Sequence, residues 1–244
     1  MTSRLAICSR ARAPRAFALL LSLCALPVLS FGVTGRVELT DSKDSAVKKR
    51  NFSGVVVWLE PSGATPVALQ RGHAVMQQKN KKFIPHVLAI STGTTVDFPN
   101  LDPFFHNAFS TFEGQIFDVA LYPPGSSKSV RFSRPGIVRV FCNIHPTMSA
   151  MIVVLNTPYF ATTGPDGRFV IPNVAHGTYH LQVFHERATS ETLEALARPV
   201  SIDTDDTQLG LIKISEIGYL PIAHKNKYGR QYSTPPDEQH AYSK

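Results

Sequence analysis

Gly136-Ile137-Val138-Arg139-Val140-Phe141-Cys142-Asn143-Ile144-His145-Pro146-Thr147-Met148-Ser149-Ala150-Met151-Ile152-Val153-Val154-Leu155 is the stretch from which the fold of this chain can be read. Its two apolar runs, Gly136 to Cys142 and Met151 to Leu155, are short and rich in β-branched residues, which marks them as strands. The seven residues from Cys142 to Met148 carry a thiol, an imidazole and a thioether. Pro146 stiffens the turn that brings His145 and Met148 back toward the strand end bearing Cys142.

Outward from this pair the same pattern recurs. Val33 to Leu39, Gly54 to Leu59, Phe83 to Ile90, Thr95 to Phe98 and Ser129 to Phe132 are further short apolar runs, punctuated by Pro61-Ser62-Gly63, Thr92-Gly93, Pro123-Pro124-Gly125 and Arg134-Pro135-Gly136. Seven strands at this spacing predict an all-β, Greek-key β-sandwich over residues 33–157, built of two packed antiparallel sheets. Lys43, Lys48, Lys49 and Arg50 form a charged, solvated loop. After Pro158 the pattern restarts with the turn Gly164-Pro165-Asp166-Gly167 and the alternations Phe169/Ile171 and Tyr179/Leu181/Val183. Pro199 to Ile202 and Leu209 to Ile214 complete a smaller β-sandwich module over 158–214, with helical periodicity only in Ser190 to Ala197. Residues 215–244, rich in Lys, Gln, Tyr and Pro, are expected to be a poorly ordered tail.

The 244 residues, 43% hydrophobic and 18% charged, suit one or two globular domains and exclude disorder throughout. Residues 1–32 have a basic start, an apolar run from Ala16 to Leu29 and small residues at Ser30 and Gly32, the three parts of a secretory signal. Export to the periplasm or outside the cell is the expectation. Pro27 and the shortness of the run argue against an uncleaved anchor, so no membrane span is expected after cleavage. The net charge of +7 falls to +3 without Arg4, Arg10, Arg12 and Arg15 (25 − 4 = 21 basic against 18 acidic). One Trp and no basic stripe with interleaved aromatics leave no case for nucleic acid. Cys8 and Cys24 leave with the leader, so Cys142 has no partner for an internal disulfide and is expected to be buried or metal-bound.

Soft sulfur with imidazole favours copper, and a trigonal His₂Cys set with a weak axial Met is the arrangement of electron-transfer copper sites. The second His is assigned to His106, since a sandwich brings a loop from an earlier strand to the end of a later one. Asn107 beside it is expected to hydrogen-bond toward the strand of Cys142. Met148 is the expected axial ligand, with Met151 as the rival; its apolar neighbours Ile152, Val153 and Val154 favour packing. His86 is open to three readings, as an extra ligand, a support of one, or a surface side chain. His176, His180 and His185 lack sulfur partners and are expected at the surface.

Cys142-x-x-His145-x-x-Met148 with upstream His106-Asn107 resembles the cupredoxins (plastocyanin/amicyanin-like), the short ligand loop looking most like that of amicyanin. Phe83-Ile84-Pro85, Gly93 to Asn100 and Arg134-Pro135-Gly136 look like landmarks of the same family. The whole chain is similar to secreted cupredoxin-domain proteins labelled methylamine-utilisation proteins. Asp166 to Ile171 with Asn173-Val174 and Gly177 to Leu181 resembles the transthyretin-like, carboxypeptidase-regulatory-like module. The resemblance implies a type 1 (blue) copper protein in which His106, Cys142, His145 and Met148 hold the ion, with single electrons leaving through the solvent edge of His145 to a redox partner protein. Copper storage or delivery by the same residues is the alternative. Catalysis is disfavoured because no additional His-x-His cluster supplies a second metal site.

Overall fold

In the computed structural model, residues 32–43, 49–63, 68–69, 72–111, 114–219 and 224–232 are described. Residues 1–31 of the leader, and Lys48 of the charged loop, lie outside the described residues. The described elements are strands apart from one short helix, so the chain is all-β. No helix among the described residues is long and apolar enough to cross a membrane.

Two sandwiches are formed, and their strands do not follow one another in sequence. One is built around the deciding stretch. Strands β11 (Gly136–Phe141) and β12 (Ser149–Leu155) pair antiparallel from Gly136 opposite Val154 to Phe141 opposite Ser149. They are the centre of a five-stranded sheet whose other members are β6 (Val87–Ser91), running parallel to β12, and the short β8 (Phe109–Ser110) and β9 (Phe117–Asp118). A three-stranded sheet of β10 (Ser127–Arg131), β7 (Thr95–Pro99) and β3 (His73–Val75) covers it, and β4 (Gln77–Lys79) pairs with β5 (Lys82–Ile84) in a separate hairpin. Between the sheets lie Val138, Val140 and Cys142 from the end of β11, Ala150, Ile152 and Val154 from β12, Val96 and Phe98 from β7, and Phe83, Tyr122 and Phe132. Every second residue of β11 and β12 reaches this core, as the two-residue period of a strand requires.

The second sandwich pairs β14 (Arg168–Pro172), β1 (Gly32–Thr40) and β17 (Asp206–Ser215) in one sheet, and β13 (Phe160–Thr162), β2 (Val56–Pro61), β15 (Gly177–Phe184) and β16 (Arg198–Ile202) in the other. Its core is Val33, Val37, Leu39, Val57, Leu59, Phe169, Ile171, Leu181, Val183, Ile212 and Ile214. This corrects the expected division at residue 157. Strands β1 and β2 belong with the C-terminal strands: β1 runs parallel to β17 and antiparallel to β14, and β2 runs antiparallel to β15. The alternation in Val33 to Leu39 states that one face is buried but not against which sheet. The C-terminal module therefore does not begin after Pro158, because it includes the first two strands of the chain.

The turn that closes β14 onto β1 needs glycine. Gly167 has φ +78°, and a Cβ there would lie 2.1 Å from the carbonyl oxygen of Val37. At that approach the Val37 amide donates to the Gly167 carbonyl at 2.8 Å. Helix α1 (Ser190–Leu196) follows β15 and is capped by Thr189, whose hydroxyl accepts from the Thr192 amide.

The sandwiches meet through a third apolar cluster in which Met151, Val153 and Leu155 of β12 pack with Val87, Val56 and Phe184. Strand β12 is thus buried on both faces, which is why Met151 to Leu155 is an unbroken apolar run rather than an alternation.

Candidate metal centre

Strand β11 delivers Cys142 to the end of the first sandwich with its side chain inward, in phase with Val138 and Val140. The chain then turns tightly. The Met148 amide donates to the His145 carbonyl at 3.0 Å, and the Cys142 amide donates to the Met148 carbonyl at 3.1 Å, so the loop from Cys142 to Met148 is closed by its own backbone. The other contributor is the segment after β7. His106 exchanges both backbone bonds with Tyr122, and Tyr122, whose hydroxyl donates to the Phe98 carbonyl, anchors that pairing in the core. Burial pushes the Tyr122 phenol well above its usual range, so the group stays a neutral donor.

The structure brings His106, Cys142 and His145 together and buries all three. Cys142 Sγ lies 3.4 Å from His145 Nδ1 and 3.8 Å from His106 Nδ1. Two donors bound about 2.0–2.3 Å from one tetrahedral or trigonal ion stand about 3–4 Å apart, so this spacing fits a shared metal. Met148 is fully buried in the same core cluster as Cys142. Met151, the rival, points from the opposite face of β12 into the cluster between the sandwiches.

Asp102 supports the site and was missed from the sequence. Its Oδ2 lies 2.8 Å from His106 Nε2 and accepts a hydrogen bond from it, which makes Nδ1, 3.8 Å from Cys142 Sγ, the unprotonated ring nitrogen. Such a carboxylate fixes the tautomer and orientation of a ligating imidazole. Burial by itself would raise the Asp102 pKa, but the amides of Lys81 and Asn80, at 2.9 and 2.6 Å, and the His106 ring hold it below the usual carboxylate range. A carboxylate four residues before a candidate ligand His is the signal that could have found it. Asn100 ties down the same loop, donating to the Phe104 carbonyl and accepting from the Asp102 amide.

Asn107 bridges the two ligand segments as expected. Its Oδ1 accepts from the Asn143 amide at 2.9 Å, and its Nδ2 donates to Asp118 Oδ1 at 2.7 Å.

Three expectations are revised. His145 keeps little solvent edge: it is 4% exposed, and the half-buried Phe104 ring stands 5.5 Å from it and 5.2 Å from His106. Pro146 and Thr147 beside it are exposed. His185 is buried, not at the surface, with Nε2 2.8 Å from Glu216, which also accepts from Arg187 and Ser42. Burial holds His185 below the usual histidine range, and it stands as a neutral donor to Glu216. Finally, residues 224–232 of the tail are packed beside the site: the His224 ring stacks on Phe141 and the Tyr232 hydroxyl donates to the Cys142 carbonyl.

His86 stands apart from the cluster, with Nε2 2.8 Å from Glu186 and Nδ1 3.0 Å from the Ser149 carbonyl. His176 is exposed and paired with Asp205, and His180 is exposed.

No protein-family model matches the chain, and no curated protein does. Solved structures do match part of it. A purple cupredoxin from Nitrosopumilus maritimus is 23% identical over 34% of this chain and 99% of its own, with a TM-score of 0.31. A copper-containing nitrite reductase from Thermus scotoductus is 25% identical over 49% of this chain and 28% of its own, with a TM-score of 0.33. A reduced amicyanin variant is 20% identical over 41% of this chain and 98% of its own, with a TM-score of 0.33.

Proposed function

We propose that this protein is an exported copper protein that carries single electrons, with His106, Cys142, His145 and Met148 as the ligands. The observation that supports this most directly is a buried thiol with two imidazole nitrogens at 3.4 and 3.8 Å, on a donor set soft enough to select copper. A copper ion held there would supply one-electron exchange between its two oxidation states. The chain does the rest. Its self-bonded loop and the Asp102–His106 pair fix the donors in place, which would keep rearrangement small if a bound ion changed oxidation state. Met148, buried in the same cluster as Cys142, would supply a weak thioether donor to the ion. The complete burial of Cys142 keeps water away from its sulfur.

Because His145 is buried, the exit for electrons is assigned to Phe104, which touches both imidazoles, with the exposed Pro146 and Thr147 forming the adjoining part of the surface met by a redox partner protein. The His106–Cys142–His145 group among the described residues is the candidate metal cluster on which the carrier reading rests.

Copper reconstitution of the mature protein, followed by visible and electron-spin spectra, tests the proposal. An intense thiolate-to-copper band with reversible one-electron cycling is expected. A colourless protein that binds Cu(I) alone would instead mean storage or delivery. Met148→Leu is expected to keep the band and raise the reduction potential, because loss of the axial donor disfavours Cu(II). Met151→Leu is expected to change neither.

A further inference from the structure

The tail beyond β17 has no apolar periodicity, yet residues 224–232 engage each residue flanking the thiol. The His224 ring stacks on Phe141 with centroids 4.1 Å apart and planes 25° from parallel. The Tyr232 hydroxyl donates to the Cys142 carbonyl at 2.8 Å and stands 3.1 Å from His224 Nδ1. The Lys227 amide donates to Asn143 Oδ1 at 3.0 Å.

Lys227 also closes a ring of bonds. Its ammonium donates to Asp118 Oδ2 at 2.7 Å, Asp118 Oδ1 accepts from Asn107 at 2.7 Å, and Asn107 accepts from the Asn143 amide at 2.9 Å, which returns to Lys227. Asn107 follows His106 and Asn143 follows Cys142. One short segment therefore clamps the two parts of the chain that supply the ligands, at the residue next to a ligand in each case. The segment is itself shaped for this: Asn226 Oδ1 accepts from the Tyr228 and Arg230 amides, and the Asn226 amide donates to the Arg230 carbonyl, so the chain doubles back between Lys227 and Tyr232.

We propose that residues 224–232 form a clamp that belongs to the metal centre, in which Tyr232 and Lys227 are positioning residues. Tyr232 fixes the peptide that carries the thiolate, and Lys227 locks the Cys142 loop to the His106 loop. The ligand separation is then set by a segment more than 80 residues downstream of Cys142. The inference goes beyond the electron-carrier reading and rests on it only where copper is the probe.

The test uses full-length Tyr232→Phe, Lys227→Ala and the double variant, with Arg230→Ala, whose side chain takes no part in the clamp, as the control. In the metal-free protein, the rate at which an aromatic disulfide reagent labels Cys142 is expected to rise at least about tenfold in the double variant and stay unchanged in the control. In the copper-loaded protein, affinity is expected to fall about 10–100-fold, the usual cost of losing support behind ligands, with a shifted charge-transfer band. Wild-type labelling, affinity and band position in a natively folded double variant would overturn the clamp. Hydrogen exchange on the wild type bears on it without any substitution: the Lys227 amide is expected to be protected, and exchange at the free-peptide rate would overturn it equally. If the wild type takes up no copper, the electron-carrier reading fails, while thiol labelling and hydrogen exchange still decide the clamp.

Discussion

The two sandwiches spend their interiors differently. The core of β1, β2 and β13–β17 is a run of Val, Leu, Ile and Phe with Tyr179 at its edge. The core of the other sandwich is similar at its centre but gives way at one end to His106, Asn107, Asp102, Asn100, Gln78 and Cys142, all buried. Buried polar groups cost stability unless bonded, and here most are bonded to one another or to backbone in a connected set. One sandwich thus provides stability and a scaffold, and the other uses that stability to hold a polar, donor-rich pocket in fixed geometry.

Separate substitutions should pull these roles apart. The largest effect expected is on the site: Cys142→Ala should abolish the thiolate-to-copper band altogether, since the transition begins on sulfur, while far-ultraviolet circular dichroism stays native because a small side chain replaces a small one. A variant that loses its fold instead would mean that the pocket carries stability as well as chemistry.

The converse substitution is Leu181→Ala, a fully buried position at the centre of β15 between β2 and β16. It should lower unfolding free energy by about 2–5 kcal/mol, measured by denaturant titration, and leave the copper spectrum of the folded protein unchanged. A shifted band would show that packing in the second sandwich reaches the ligands through the shared cluster on β12.

The smallest effect concerns a polar bridge between the two, His86 with Glu186. The bond to Glu186 raises the His86 pKa above its usual value. Burial pushes Glu186 upward, but the bond and charge of His86 bring it below its usual value. The His86 contribution is therefore complete below the unfolded imidazole value and lost as pH rises through the raised one. The Glu186 contribution is present above the usual carboxylate range and lost as pH falls through the lowered value. Glu186→Gln should then destabilise most at about pH 5–6 and converge on wild type in alkali. The His86 side chain is 48% exposed, so solvent screens the pair and the loss should not exceed about 1 kcal/mol. A pH-independent difference in thermal unfolding would refute the ion-pair origin.

Sequence determined the all-β class, most strand positions and the cluster of candidate donors, because each of these is written in short-range signals. Residue alternation marks a strand, Gly and Pro mark turns, and Cys142, His145 and Met148 fall in one loop whose chemistry needs no distant information. Even Asp102 was within reach, four residues before His106. Only the tertiary structure decided what pairs with what. The pattern of β1 is the same whether its face meets β17 or a strand of the first sandwich, since burial is non-directional and the partner lies about 170 residues away. The run Met151 to Leu155 showed that both faces of β12 are covered, but not that β2 and β15 supply the cover. His185 reads as a surface residue until Glu216 and Arg187 fold around it. The tail reads as solvated because it docks through hydrogen bonds to a carbonyl, an amide oxygen and a carboxylate. Such bonds leave no hydrophobic period in the sequence, and their partners exist as a surface only once β8, β9 and the end of β11 have been brought together.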